Sequence, residues 1–240
     1  MPSSIEGLEI VLAGGAGGLG SFTARALAQE GAQLTISYKN NPDRAEKLRE
    51  LGRIVRADLA LPAERSRLLD AAPSLYGLAI FAGDPARVGE PSELETAMLR
   101  SHEANYLGPV LLAREAAQRM QSTGTRGAIV LISTMQAVAV FAGSTAYAAQ
   151  KAALIHAGRI LAKECRGAAD IRVNIVCPGV NQAGMAEASI ASGKYDRYLS
   201  DKVIPRFGRA ADVARALRFF LEPDNYITGQ VLTVDGGLTL

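Results

Sequence analysis

The run Ala13-Gly14-Gly15-Ala16-Gly17-Gly18-Leu19-Gly20 constrains the fold of this chain more than any other feature. It joins an apolar, β-rich stretch, Leu8–Ala13, to a helical pattern, Ser21–Gln29. Glycines let the backbone turn tightly and let a ligand approach it closely. A helix starting just after such a turn offers unpaired N–H groups and a partial positive charge. Strand, glycine turn and helix in that order are the fingerprint of a pyrophosphate cradle. Two registers fit: Gly15, Gly17 and Gly20 as GxGxxG, or Gly14, Gly18 and Gly20 as GxxxGxG. The candidate contacts are Gly14, Ala16, Gly18, Leu19 and Gly20, and the expected ligand is a dinucleotide. Its ribose is read at the end of the second strand, Ile36-Ser37-Tyr38-Lys39-Asn40. No acid stands there for the 2′-OH of NAD, whereas Lys39 could accept the 2′-phosphate of NADP. NADP(H) is therefore favoured, with NAD(H) left open.

Short apolar runs alternate with amphipathic ones along the rest of the chain. Strands are expected over Gln33–Tyr38, Arg53–Ala57, Gly77–Ala82, Ala128–Ser133, Ile171–Cys177 and Val231–Val234. Helices are expected over Asp43–Leu51, Ala63–Ala71, Glu93–Met120 with one break, Ala146–Cys165 and Asp212–Phe220. Runs such as Ile129–Ile132 are apolar throughout, as strands covered on both faces must be. The alternation predicts an α/β fold: one doubly wound parallel sheet of Rossmann type with helices on both faces. With 240 residues and no internal repeat or linker, residues 1–240 read as one domain, with 182–204 as a substrate-loop insertion.

Composition narrows the function classes. Twenty-six basic residues against 24 acidic ones give a net charge of +2, too balanced for a nucleic-acid or anionic-membrane partner. Residues 127–150 carry no charge and could span a bilayer by length. Ser133, Thr134, Gln136, Ser144 and Thr145 argue instead for a buried strand and a site-forming loop. The N-terminus lacks the basic start of a signal peptide. Cys165 and Cys177 have no metal-ligand spacing and read as buried thiols, which suits a cytoplasmic setting. His102 and His156 have no carboxylate at triad-like spacing, and no metal site is expected.

Tyr147-Ala148-Ala149-Gln150-Lys151 sets a phenol and an ammonium four residues apart, on one face of a helix. A cation favours the phenolate, and bringing a phenol from about 10 to neutrality takes roughly 4 kcal/mol. Several further pieces occur in order: Asp58-Leu59, Ala82-Gly83, Asn105-Tyr106-Leu107-Gly108, Ile132-Ser133-Thr134, Asn174…Pro178-Gly179, and Ile227-Thr228-Gly229-Gln230…Val234-Asp235-Gly236-Gly237. Singly each has a plain reading: Asp58 as a helix cap near Pro62, Asn105 as a satisfied core residue, Pro178-Gly179 as a turn. Together with the glycine turn and Tyr147…Lys151, they resemble the short-chain dehydrogenase/reductase family over essentially the whole chain. The nearest flavour is that of the 3-oxoacyl-carrier-protein reductases.

The resemblance implies an oxidoreductase interconverting a carbonyl and an alcohol. It implies a tetrad of Asn105, Thr134, Tyr147 and Lys151, with Tyr147 protonating the carbonyl oxygen and Lys151 on the nicotinamide ribose. Asn105 would hold a relay water. Thr134 stands where the family has serine, with Ser133 as its neighbour. The cofactor would be met by Tyr38, Lys39, Asp58, Leu59, Ala82, Gly83, Pro178, Gly179 and Val180, besides the glycine turn, Tyr147 and Lys151. The chain departs from the family at Ala13, Ile80-Phe81 and Ala183, and at Gly17, where many NADP users carry arginine. Those departures keep a second reading open, a non-catalytic NADP(H) sensor. A sugar epimerase of the extended branch needs a larger C-terminal domain. A homo-oligomer, tetramer or dimer, is also implied. The substrate, a small carbonyl or alcohol, is not readable beyond the segment expected to line it.

Overall fold

The computed structural model describes residues 4–240. Seven strands form one sheet: β1 (Glu9–Ala13), β2 (Gln33–Tyr38), β3 (Gly52–Arg56), β4 (Leu75–Ile80), β5 (Gly127–Ile132), β6 (Ile171–Pro178) and β7 (Val231–Val234). Their spatial order is β3-β2-β1-β4-β5-β6-β7, every neighbouring pair parallel. The chain runs outward from β1 to β3, then returns to β4 on the other side of β1. That reversal opens a crevice at the carboxyl ends of β1 and β4, where open α/β sheets bind ligands.

Alternate residues of each strand serve opposite layers. On one face Val11, Leu78, Ile129 and Ile175 pack with α3 (Pro62–Asp70), α5 (Gly108–Ser122) and α6 (Thr145–Glu164). On the other, Ile10, Leu12, Val130 and Val176 meet α1 (Gly18–Gln29) and α9 (Ala210–Leu221). The spacing of Val213, Leu217 and Phe220 gives α9 a buried stripe, and all three are at most 2% exposed.

Several expected bounds move. The helix expected over Asp43–Leu51 is instead α2 (Pro42–Glu46) followed by a 3-10 turn, Arg49–Leu51. The Asn41 side chain accepts from Arg44 N–H and starts α2 at Pro42, and the Glu46–Arg49 ion pair (2.5 Å) closes a three-residue turn. The fourth strand begins at Leu75, two residues before expectation, where Leu75 and Tyr76 are buried and the Tyr76 hydroxyl donates to Leu221 O (2.8 Å). The long helix expected over Glu93–Met120 is α4 (Leu94–His102) and α5, joined by a π turn, Glu103–Leu107. The segment read as a loop after β6 carries α7 (Glu187–Ala191) and α8 (Arg197–Ser200). Among the described residues, no helix is long and apolar enough to cross a membrane.

Candidate active site

A cavity of about 980 Å³ runs along the carboxyl ends of the strands, from the glycine turn to the first turn of α6. Gly14, Gly18, Leu19 and Gly20 line one end; Thr134, Tyr147, Lys151, Pro178, Gly179 and Val180 line the other. Residues up to 166 positions apart in sequence, Gly14 and Val180, thus share one space.

At the first end the turn is built for close approach. Gly14 has φ +73°, and a Cβ there would lie 2.8 Å from Ala82 N. Its N–H donates to the Ser37 hydroxyl (2.9 Å), so β2 holds the turn in place. α1 begins at Gly17 with no capping side chain and no acid in its first turn. Its leading N–H groups are left for an anion, as a pyrophosphate cradle requires. At the second end Asn181 is buried, and its Oδ1 has no hydrogen-bond partner among the described residues while its Nδ2 donates to Gly179 O (2.8 Å). Uncapped helix and glycine cradle along one long cavity fit a dinucleotide.

The remaining expected cofactor contacts stand behind this wall. Ala16 is buried under the turn, and Ala82 backs Gly14. Tyr38 and Lys39 end β2, but Lys39 Nζ is bound to Asp58 Oδ2 at 2.7 Å and does not line the cavity. Asp58 also accepts from Ala60 N–H (3.1 Å); with Lys39 this holds its carboxyl below the ordinary range, although partial burial pushes the other way. Asp58 does not cap α3, whose N-cap is Leu61. Leu59 is fixed by Arg65, which donates to its carbonyl (2.8 Å) and to Glu115 (2.9 Å). Gly83 lies against Asn105, whose Oδ1 would be 2.7 Å from a Cβ added there.

Asn105 is fully buried in the π turn. Its Nδ2 donates to Asp84 O (2.8 Å) and Ser101 Oγ (2.9 Å), and its Oδ1 accepts from Asp84 N–H (3.1 Å). The side chain expected to hold a relay water is occupied in fixing the loop after β4.

The two hydroxyls at the end of β5 have separate partners. Ser133 is buried and donates to Lys151 O (2.9 Å), tying β5 to α6. Thr134 Oγ1 accepts from Gln136 N–H (3.3 Å). Both hydroxyls line the cavity with Tyr147, but the Ser133 proton is committed to α6. Lys151 Nζ donates to Ile132 O (2.9 Å). Burial pushes the Lys151 ammonium down to about 8. Burial also pushes the Tyr147 phenol up to about 12, against a smaller opposing pull from the Thr134 hydroxyl. The depression expected from Lys151 is not found in the protein alone, and removing the phenolate from water costs more than Thr134 returns.

Sequence reasoning missed Arg44, Arg87 and Phe141, all on the cavity wall, and Ser37 behind it. None belongs to a motif, and only the folded chain brings them there.

A parallel sheet with its ligand crevice at the strand reversal, and a half-buried phenol one helical turn from a buried ammonium beside it, define a nucleotide-dependent oxidoreductase. Residues 14–239 match the family described as enoyl-(acyl carrier protein) reductase. A 3-oxoacyl-[acyl-carrier-protein] reductase from Rattus norvegicus is 33% identical over 234 residues, covering 95% of this chain and 96% of its own length. The NADPH-dependent aldehyde reductase 2, chloroplastic, of Arabidopsis thaliana is 27% identical over all of this chain and 96% of its own. A short-chain type dehydrogenase/reductase from Mycobacterium ulcerans superposes with a TM-score of 0.90 at 28% identity, covering 98% of this chain and 91% of that one. The chain belongs to the short-chain dehydrogenase/reductase family, and it is an NAD(P)-dependent oxidoreductase.

Proposed function

We propose that this protein reduces a carbonyl to an alcohol with NADPH, and runs the reverse reaction when product is in excess. The observation that carries the reading is one cavity with an uncapped helix N-terminus at one end and Tyr147 beside Thr134 at the other. The reduced cofactor, when bound, supplies hydride to the carbonyl carbon. Tyr147, held as a neutral phenol, gives its proton to the carbonyl oxygen. Thr134 donates a second hydrogen bond to that oxygen and fixes its position. Lys151, anchored on Ile132 O, binds the nicotinamide ribose. Ser133 holds α6 against β5 and so sets the height of Tyr147 over the sheet. Asn105 fixes the Asp84 loop that closes the crevice from above Gly83.

NADP(H) over NAD(H) rests on the charge at the adenosine end. Lys39 stands at the end of β2 with its charge shared by Asp58, and Arg44 reaches the cavity wall with no carboxylate partner among the described residues. The plant relative's name, NADPH-dependent, supports the same preference. The rat relative's name supports 3-oxoacyl thioesters among the substrates. Segment 182–204 serves as the substrate loop, folded over the crevice so that a Cβ on Gly18 would strike the Gly184 backbone.

The test is Tyr147→Phe in a ketone-dependent NADPH oxidation assay. Loss of at least about 100-fold in kcat with unchanged NADPH affinity is expected from removal of the proton donor. Undiminished turnover would overturn the proposal.

A further inference from the structure

Among the described residues five basic side chains line the cavity, Arg44, Arg87, Lys151, Lys194 and Arg197, and no aspartate or glutamate does. Lys151 belongs to the reacting centre and Arg44 to the adenosine end. The other three stand on or against the segment over the second end. Arg87 donates to Met185 O (3.0 Å); Lys194 sits 5.6 Å over the Tyr195 ring, and Arg197 5.4 Å over the Tyr198 ring. Among the described residues none of the three makes an ion pair. Three acids near them in sequence are engaged elsewhere, Asp84 with Arg100 (3.1 Å). Glu187 accepts from Gly184 N–H (2.6 Å), and the Asp196 carboxylate lies back over Gly193, 3.1 Å from where a Cβ would be. Apolar and aromatic side chains, Phe141, Val180, Met185, Tyr195 and Tyr198, make up much of the wall they share with Tyr147, with Gln136, Ser144 and Ser189 among them.

Tyrosine rings under the cations matter. A ring face draws a cation to it and holds it without neutralising it, so Lys194 and Arg197 keep their full charge and point of attachment. Charged side chains around a site with low-dielectric walls raise the local concentration of oppositely charged ligands. Spare positive charge with no counter-acid in reach is an anion-binding device.

We infer that the substrate carries an anionic group, carboxylate or phosphate, separated from its reactive carbonyl by an apolar segment, and that Arg87, Lys194 and Arg197 hold that group. The carbonyl end of this inference rests on the reductase reading above; the anion end does not.

Two probe pairs test it: acetoacetyl-coenzyme A against the uncharged acetoacetyl thioester of N-acetylcysteamine, and acetoacetate against methyl acetoacetate. The expected result is a KM at least about tenfold lower for the charged member of one pair, about 1.4 kcal/mol. That ratio should fall toward one in the double variant Lys194→Glu/Arg197→Glu and in 0.5 M NaCl. A preference in the thioester pair points to a phosphate-bearing carrier; one in the acid–ester pair points to a small keto acid. A ratio near one in both wild-type pairs, or one that survives the double variant, overturns the inference and leaves the reductase reading standing. If no probe is reduced, calorimetric titration of coenzyme A and of acetoacetate into wild type and double variant separates the two claims. Binding lost in the variant sustains the anion rim while the reductase reading fails; no binding to wild type overturns the rim as well.

Discussion

Tyr147 sits where burial holds its phenol near 12 and Lys151's ammonium near 8. At neutral pH the phenol is therefore protonated, the form that a reductase needs to give a proton away. Its own titration should not limit reduction anywhere between pH 6 and 9. The raised value acts in the other direction on alcohol oxidation, which needs the phenolate and should accelerate as pH rises. Lys151 has the opposite sign: its proton is held more weakly than an ordinary lysine's, so its charge is lost as pH rises through about 8. Reduction should thus show a falling limb above about 8, read as kcat/KM against pH. A limb that persists unchanged in Lys151→Met would assign it elsewhere. Thr134→Ser keeps the hydroxyl and should retain most activity, whereas Thr134→Val removes a donor to the developing oxyanion and should cost on the order of 100-fold in kcat. The YxxxK pair was legible in sequence because one helix fixes its geometry. The partners of Ser133 and Thr134 were not, because only the packing of α6 against the end of β5 ties the Ser133 hydroxyl to Lys151 O.

α1 and α9 show how elements carry the site. α1 follows a turn in which a side chain on Gly14 would strike the Ala82 backbone just after β4, and one on Gly18 would strike the Gly184 backbone in the loop after β6. Gly18→Val should displace the Gly184 loop and weaken NADPH binding at least about tenfold by fluorescence titration, while far-ultraviolet dichroism stays near wild type; unchanged affinity would remove the turn from the cofactor site. α9 contributes only support. Leu217 is fully buried in its stripe, and Leu217→Ala should cost about 2–5 kcal/mol of stability by denaturant unfolding. The N-terminus of α9 is held by Asp212, which accepts from Arg209 N–H (2.8 Å) and pairs with Arg206 (2.7 Å) and Arg215. The Arg206 hydrogen bond draws Asp212 down to about 2, from an ordinary 3.8, against a smaller push from burial. The unfolded chain thus takes up this proton first, and the stability Asp212 contributes is complete above pH 4 and disappears as pH falls through 2. Asp212→Asn should therefore be less stable than wild type at pH 7 and match it near pH 2. The alternation of strands and helices was readable from apolar runs, and so was one break in Glu93–Met120, but not the place or kind of that break. A π turn changes the count by one residue, below the resolution of a periodic pattern, and it carries Asn105, which donates to Asp84 O.

For the whole molecule, cofactor binding and folding are linked, because the cavity wall is drawn from both ends of the chain. A ligand at 100 times its Kd stabilises the native state by about 2.7 kcal/mol. NADPH should therefore raise the melting temperature by several degrees. NADH at the same concentration should raise it less, and Arg44→Ala should narrow that difference; equal shifts with both cofactors in wild type would count against the NADP preference. The sequence by itself determined the class of fold, the glycine turn and the tyrosine–lysine pair, since each is written in residues close together along the chain, where local geometry sets distances. Tertiary structure alone decided that Lys39 spends its charge on Asp58, that Asn105 fixes a loop, and that Arg87, Lys194 and Arg197 gather without a carboxylate at one rim. Those are meetings between segments tens of residues apart. Their energies depend on separations of a few ångströms that no local pattern encodes, and they arise only when the sheet brings the carboxyl ends of its strands together.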